Sequence, residues 1–348
     1  MTSPHRNYVS LQAGRGIAAL LIVLHHTSTF VGGEPHLWHH PAIARWMMGM
    51  QLGVDFFFVL SGVVILTAHW DDINRPRTVA TYLYKRFRRI YPIYWIVLIA
   101  LLLRQFTHLD GASAVDRNPF VVLSSFLLVH IHSSKTNLIV AWTLFHEVLF
   151  YAVFATALLS KRLGTIVFAL WFALSIASLF RADMPFPKFI SPLHLLFALG
   201  MAAAWFLHQH TVPKPALFLA AGAVLFASAL LYYGWLGAVV SPTSFVAGIG
   251  ATLMLLGSAE LERQHRIHVP RALAFLGNAS YSIYLIHYPI IAAAAHLGFH
   301  LDAQLHLPIP FWMLTLAAIG TAAGCILYLC IERPLLRWLG KPITASAA

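Results

Sequence analysis

The sequence predicts an all-α protein, a polytopic bundle of about ten transmembrane helices with both termini in the cytoplasm. Three observations predict it. Hydrophobic residues make up 59% of the 348 and charged residues only 10%, whereas soluble domains carry about 45–50% apolar and about 25% charged residues. Apolar runs of bilayer length recur from residue 9 to residue 331 with no polar block long enough to fold alone, so residues 1–348 read as one integral membrane domain. The basic residues behind the formal net charge of +11 stand in short clusters at the ends of these runs. That is the pattern of topology signals and of headgroup or cofactor contacts, and not of nucleic-acid binding.

A spanning helix needs about 20 apolar residues. Such runs cover 9–30, 50–70, 90–107, 138–159, 163–180, 190–208, 215–235, 243–260, 273–296 and 309–331. The first follows Arg6 as a signal peptide would, but Arg15 interrupts it and no clear small-residue cleavage site follows, so it is kept as the first helix. The loop after the second run carries Arg75, Arg77, Lys85, Arg86, Arg88 and Arg89, which assigns it to the cytoplasm and the N-terminus with it. "PFVVLSSFLLVHI" (119–131) is the ambiguous piece. If it crossed, Lys161, Arg162 and the basic tail Arg333, Arg337 and Lys341 would fall outside; if it does not, these and "ERQHRIHVPR" (262–271) stay inside. It is therefore expected as an outer-face or re-entrant element, buried against protein where it enters the membrane. Cys325 and Cys330 lie together in the last run, so no disulfide framework or Cys-rich metal site is expected.

The first run holds ionisable residues at both ends, in "RGIAALLIVLHH" (15–26). Eleven residues at 100° each bring Arg15 and His26 to within about 20° of one helix face and about 16 Å apart along it, with His25 about 80° off. Arg15 lies toward the cytoplasmic end and His26 toward the outer end. Snorkelling at both interfaces is the bland alternative, but ionisable residues inside a span point to function. Asp55 in "LGVDFFFVLSG" (52–62) and Glu147 in "AWTLFHEVLFY" (141–151) are expected at depths compatible with His26. A carboxylate beside an imidazole raises its basicity and sets its tautomer, as a general base requires. On the cytoplasmic side, "YKRFRRIYPIYW" (84–95) loads Lys85, Arg86, Arg88 and Arg89 before the third run. A positive-inside anchor explains that cluster by itself, yet with Arg15 at the same face it suits a phosphate-rich ligand, because an arginine fork matches phosphate geometry.

These motifs, with "LGNASYSIYLIHYPI" (276–290), resemble in order those of acyltransferase family 3, bacterial membrane O-acyltransferases that acylate sugars, over nearly the whole chain. The resemblance implies transfer of an acyl group, usually acetyl from acetyl-CoA, to the hydroxyl of a glycan or lipid-linked saccharide, in the bacterial cytoplasmic membrane. It implies His26 as catalytic base, Glu147 as the family's glutamate of the fourth span, and an arginine-rich motif for the CoA end. His146 stands where the family more often has an acidic or other polar residue. The "WTL...E..FY" form looks closest to members that decorate exopolysaccharides.

Together these readings give His26, Glu147 and Asp55 as catalytic residues and Arg15, Arg86, Arg88 and Arg89 as the acyl-CoA site, with no metal. His26 either activates the sugar hydroxyl directly or carries a transient acyl group. Ser61, Tyr281 and Tyr284 are the oxyanion candidates, and His287 serves either the site or packing. Two rivals come from other classes. "HLWHH" (36–40) has the spacing of one desaturase histidine box, but "HQH" and "HRIH" fall on the opposite side. A secondary transporter would also hold Arg, His and carboxylates in the membrane, though the two halves of this chain show no repeat.

Overall fold

A computed structural model describes residues 8–104, 116, 118–129, 136–181, 188–236 and 240–340. Arg6, Lys341 and the ends of the expected runs 90–107 and 119–131 lie outside these residues. Every regular element among the described residues is helical. Helix α1 (Val9–Ser28) continues through a π turn, Thr29–Gly33; α2 (Pro41–Met47) leads through a 3-10 turn, Met48–Leu52, into α3 (Gly53–Ala68). There follow α4 (Val79–Arg104), α5 (Pro119–Leu127), α6 (Trp142–Leu159), α7 (Lys161–Ala177) and α8 (His194–Gln209). The chain ends with α9 (Pro215–Leu236), α10 (Val240–Arg263), α11 (Arg271–Leu305), α12 (Ile309–Leu327), a π turn at Tyr328–Glu332, and α13 (Arg333–Leu339).

Seven described stretches are long and apolar enough to cross a bilayer: α1, α2 with α3, α6, α9, α10, α11, and α12 with α13. The chain is a multi-pass membrane protein. The remaining three expected spans, at α4, α7 and α8, are helical but are not among these seven. At 17 and 16 residues, α7 and α8 reach only about 26 and 24 Å, under the roughly 30 Å hydrocarbon core. The apolar part of α4 is confined between Arg89 and Arg104.

Residues 119–127 form the short helix α5, about 14 Å long. Asn118 caps its start by accepting from the Phe120 amide at 2.9 Å. Its end leaves carbonyls without helical partners, and the "YPIYW" segment of α4 supplies them. Tyr91, Tyr94 and the Trp95 indole donate to the carbonyls of Leu127, Ser125 and Phe126 at 2.9, 2.6 and 2.9 Å.

The helices approach backbone to backbone where glycines meet, as membrane bundles require in place of a hydrophobic drive. A Cβ on Gly277 of α11 would lie 1.9 Å from the Gln12 carbonyl of α1, and one on Gly200 of α8 would lie 1.9 Å from the Val59 carbonyl of α3. The first crossing brings Arg15 and Tyr281 to one cavity. Two polar clasps hold the ends. The Glu262 carboxylate accepts from the amides of Val9 and Ser10 at 2.8 and 2.7 Å, capping α1 from the end of α10. At the other end, Asp302 accepts from the Trp38 and Trp312 indoles, both at 2.8 Å. Trp38 of the "HLWHH" loop is thereby tied to α11 and α12.

Candidate active site

A cavity of about 310 Å³ opens between α1, α3, α4, α6 and α11. At its mouth and walls stand Arg15, Lys85, Arg86, Arg88 and Arg89, and deeper in lie Glu147, Ser61, Thr143, Tyr151, Tyr281 and Tyr284. The four arginines singled out in the sequence therefore share one enclosure, although α1 and α4 are far apart in the chain. They are not equivalent. Arg89 is ion-paired to Glu332, which also accepts from Ser282 at 2.5 Å and is 1% exposed. Its guanidinium also lies 5.6 Å from the Tyr281 ring centroid. Arg88 donates to the Leu339 carbonyl at 3.3 Å. Arg86 is flanked by the rings of Tyr82 and Tyr151 at 5.9 and 5.7 Å, a cation–π seat that supplies no counter-charge. The buried Nε atoms of Arg15 and Arg86 have no hydrogen-bond partner among the described residues. Five cations against Glu147 and Glu332 leave three positive charges uncompensated. A partly buried guanidinium without a counter-charge is costly, so the enclosure holds a positive surplus that an anion would offset.

The expected trio of His26, Asp55 and Glu147 is not brought together. Glu147 faces the arginine cavity, where it accepts from the Tyr151 hydroxyl and from Ser61 at 3.4 Å. Asp55, on the opposite face of α3, is 5% exposed and accepts from Ser244 of α10. Helical spacing explains the separation: Asp55 and Ser61 are six residues apart, about 120° around α3. Run lengths in the sequence do not fix how α3 and α6 are rotated against their neighbours.

The partner of His26 is another histidine, His287 of α11, with Nε2 of His287 3.0 Å from Nδ1 of His26. Two backbone carbonyls set both tautomers. Nδ1 of His287 lies 2.9 Å from the Ile283 carbonyl, and Nδ1 of His26 lies 3.1 Å from that of Ile22. A carbonyl only accepts, so each Nδ1 carries the proton. The one Nδ1 proton of His26 is then shared, in a bifurcated bond, between the Ile22 carbonyl and the Nε2 lone pair of His287, which leaves Nε2 of His26 as a lone pair with no partner among the described residues. That is the state a general base needs. The Tyr288 ring lies edge-on to His26 at 5.1 Å. The His25 ring stands edge-on to that of His26, centroids 4.9 Å apart, and hydrogen-bonds the Met47 backbone of α2.

Neither histidine lines the cavity; Tyr284, which does, is the link to them, its ring 5.9 Å from His287 and 6.2 Å from Phe57. Of the oxyanion candidates, Tyr281 and Tyr284 already give their hydroxyl protons to the carbonyls of Ile90 and Val140 at 2.8 and 2.9 Å, and Ser61 is engaged by Glu147. Glu332 was missed as a site residue. Its signal was a lone acid at the end of an apolar run, immediately before Arg333; its partner is Arg89, from a motif more than 200 residues away.

The family model described as "Acyltransferase domain" matches residues 8–330. The chain belongs to this acyltransferase family. The acyltransferase is 32% identical over 307 residues to the "Exopolysaccharide production protein ExoZ" of Rhizobium meliloti (strain 1021), covering 85% of this chain and 93% of that one. It is also 34% identical over 97 residues to "Protein 2 in picA locus" of Rhizobium radiobacter, covering 28% and 44% of the two chains. No solved structure gives a significant match. Family membership selects a transferase over the carrier read as an alternative from the sequence.

Proposed function

We propose that this acyltransferase moves an acyl group, acetyl in the simplest case, from cytosolic acyl-CoA to a hydroxyl of an exopolysaccharide or its lipid-linked precursor at the outer side of the cytoplasmic membrane. The observation that carries the reading is the pair of guanidiniums without a counter-charge, Arg15 and Arg86, in a cavity whose lining reaches Tyr284, the ring neighbour of His287 and through it of His26. Phosphates and a pantetheine arm have that polarity: a multiply charged head and a thin, extended tail. Arg15 and His26 are about 16 Å apart on one helix, a length an extended thioester arm covers. Arg89, neutralised by Glu332, shapes the wall in this scheme and is a weaker phosphate ligand than Arg15 or Arg86.

Nε2 of His26 takes the proton of the acceptor hydroxyl as its oxygen attacks the thioester carbon; the C–S bond breaks and the thiolate leaves with CoA. The imidazolium formed on His26 is stabilised by its Nδ1–H bond to His287. The similarity to a protein named for exopolysaccharide production supports a glycan acceptor. Mass spectrometry of surface glycans from cells carrying the wild type, His26→Ala or no gene tests the reading. An acyl mark present with the wild type and lost in both others is the expected result; an intact mark with His26→Ala removes His26 from catalysis.

A further inference from the structure

At the His26 end of the bundle, opposite the arginines, a second hollow of about 470 Å³ is lined by Gly32, Gly33, His39, Arg45 and Trp235. The size lies in the range of small-molecule pockets. Trp235 ends α9 and meets Trp46 of α2 edge to face, ring centroids 5.4 Å apart, yet the two remain 65% and 52% exposed. Their placement is rigid. A Cβ on Gly234 would lie 2.7 Å from the Trp46 carbonyl, and one on Gly32 would lie 2.6 Å from the His40 carbonyl. Both close approaches seat the three segments on one another through backbone. Gly33, by contrast, has only a Thr29 methyl within reach, at 3.8 Å, so the floor is bare backbone open to the hollow. Arg45 is exposed and makes no ion pair among the described residues.

We infer that this hollow is a glycan subsite, in which one pyranose ring stacks on Trp235, itself seated edge-on against Trp46, while Arg45 and His39 hydrogen-bond its hydroxyls. The inference rests on the glycan-acceptor reading above. A sugar ring offers an apolar C–H face and a polar rim, which suits an aromatic plate bordered by fixed donors. The place suits it too: Gly32 is six residues beyond His26 on the same chain segment, roughly 9 Å along it. A sugar held here would be a neighbour of the one being acylated, so the subsite would select a polymer over a monosaccharide. Tryptophans at a bilayer edge also serve as interfacial anchors. A recessed backbone floor and an unpaired arginine beside the rings favour the sugar.

The test uses the full-length protein in nanodiscs, with acetyl-CoA and de-acylated oligosaccharides from the strain's own exopolysaccharide. Trp235→Ala and Arg45→Gln are each expected to raise the acceptor KM about tenfold, the worth of one stacking or charge-assisted contact, and Trp46→Ala, which removes the ring that seats Trp235, to raise it less, all with turnover at saturation retained. Trp205→Ala, an equally exposed tryptophan at the opposite end of the bundle, should leave acceptor KM unchanged. Active wild type with unaltered acceptor KM in the three variants overturns the subsite. So does a change confined to thermal stability or to lipid dependence, which would mark the tryptophans as anchors. Wild type that transfers to no saccharide overturns the acceptor reading itself, and the subsite with it.

Discussion

In the proposed reaction His26 works with a partner that carries no charge. A carboxylate would fix the tautomer and stabilise the imidazolium by Coulomb attraction, whereas His287 offers only a lone pair. The arrangement therefore orients His26 without holding it protonated, which suits a base that must begin each cycle neutral. His26→Ala is expected to lower transfer by about 10²- to 10⁴-fold, the usual worth of a general base. At His287, Gln preserves an acceptor for the Nδ1–H and Leu does not. Turnover is expected to fall further in His287→Leu than in His287→Gln, measured as kcat against acceptor; equal losses would reduce His287 to packing. Arg15→Ala and Arg86→Ala each remove a charge-assisted contact of about 1.5–3 kcal/mol. Acetyl-CoA titration is expected to show roughly 10- to 100-fold weaker binding, and unchanged affinity would end the phosphate role.

At the scale of elements, polar groups buried between helices decide which segments can move. Tyr94 is fully buried and its hydroxyl serves the Ser125 carbonyl at the end of α5. Tyr94→Phe leaves that carbonyl unpaired in a dry site, which should destabilise the fold by about 1–3 kcal/mol, read as a lowered midpoint of thermal unfolding in detergent. The cap on α1 works across the bundle, because Glu262 sits in the loopward end of α10. Glu262→Ala is expected to cost about 1 kcal/mol of stability, with transfer at low temperature little affected. Charge asymmetry makes residues 119–131 an expected outer-face or re-entrant element, and the helix within them, α5, has nine residues, too short to cross. Its three donors on α4 were not legible, because they depend on the side of α4 that α5 meets.

For the whole molecule, the two ends carry different chemistry. The arginine cavity opens at one end, His26 and the tryptophan hollow lie at the other, and α1 runs between them. Acyl transfer across the membrane requires those ends to face different compartments. With Cys325 and Cys330 replaced, a membrane-impermeant maleimide is expected to label Glu34→Cys in intact cells and Arg75→Cys only after permeabilisation. Labelling of both in intact cells would contradict the orientation read from the basic loops.

Composition and periodicity by themselves determined the membrane class, the helical architecture and the axial separation of Arg15 and His26, and the order of the motifs carried the family resemblance. Those properties follow from the chain in one dimension: apolar length sets whether a segment can span, and 1.5 Å per residue sets axial separation. Only the tertiary structure decided which charges meet. It sent Asp55 to Ser244 and Glu147 to the arginines, joined His26 to His287, and gave Arg89 to Glu332. Each of those outcomes depends on the rotation of one helix against another, set here by backbone contacts such as Gly277 against Gln12. A rotation of 100° moves a side chain to a different neighbour without changing any run of hydrophobic residues.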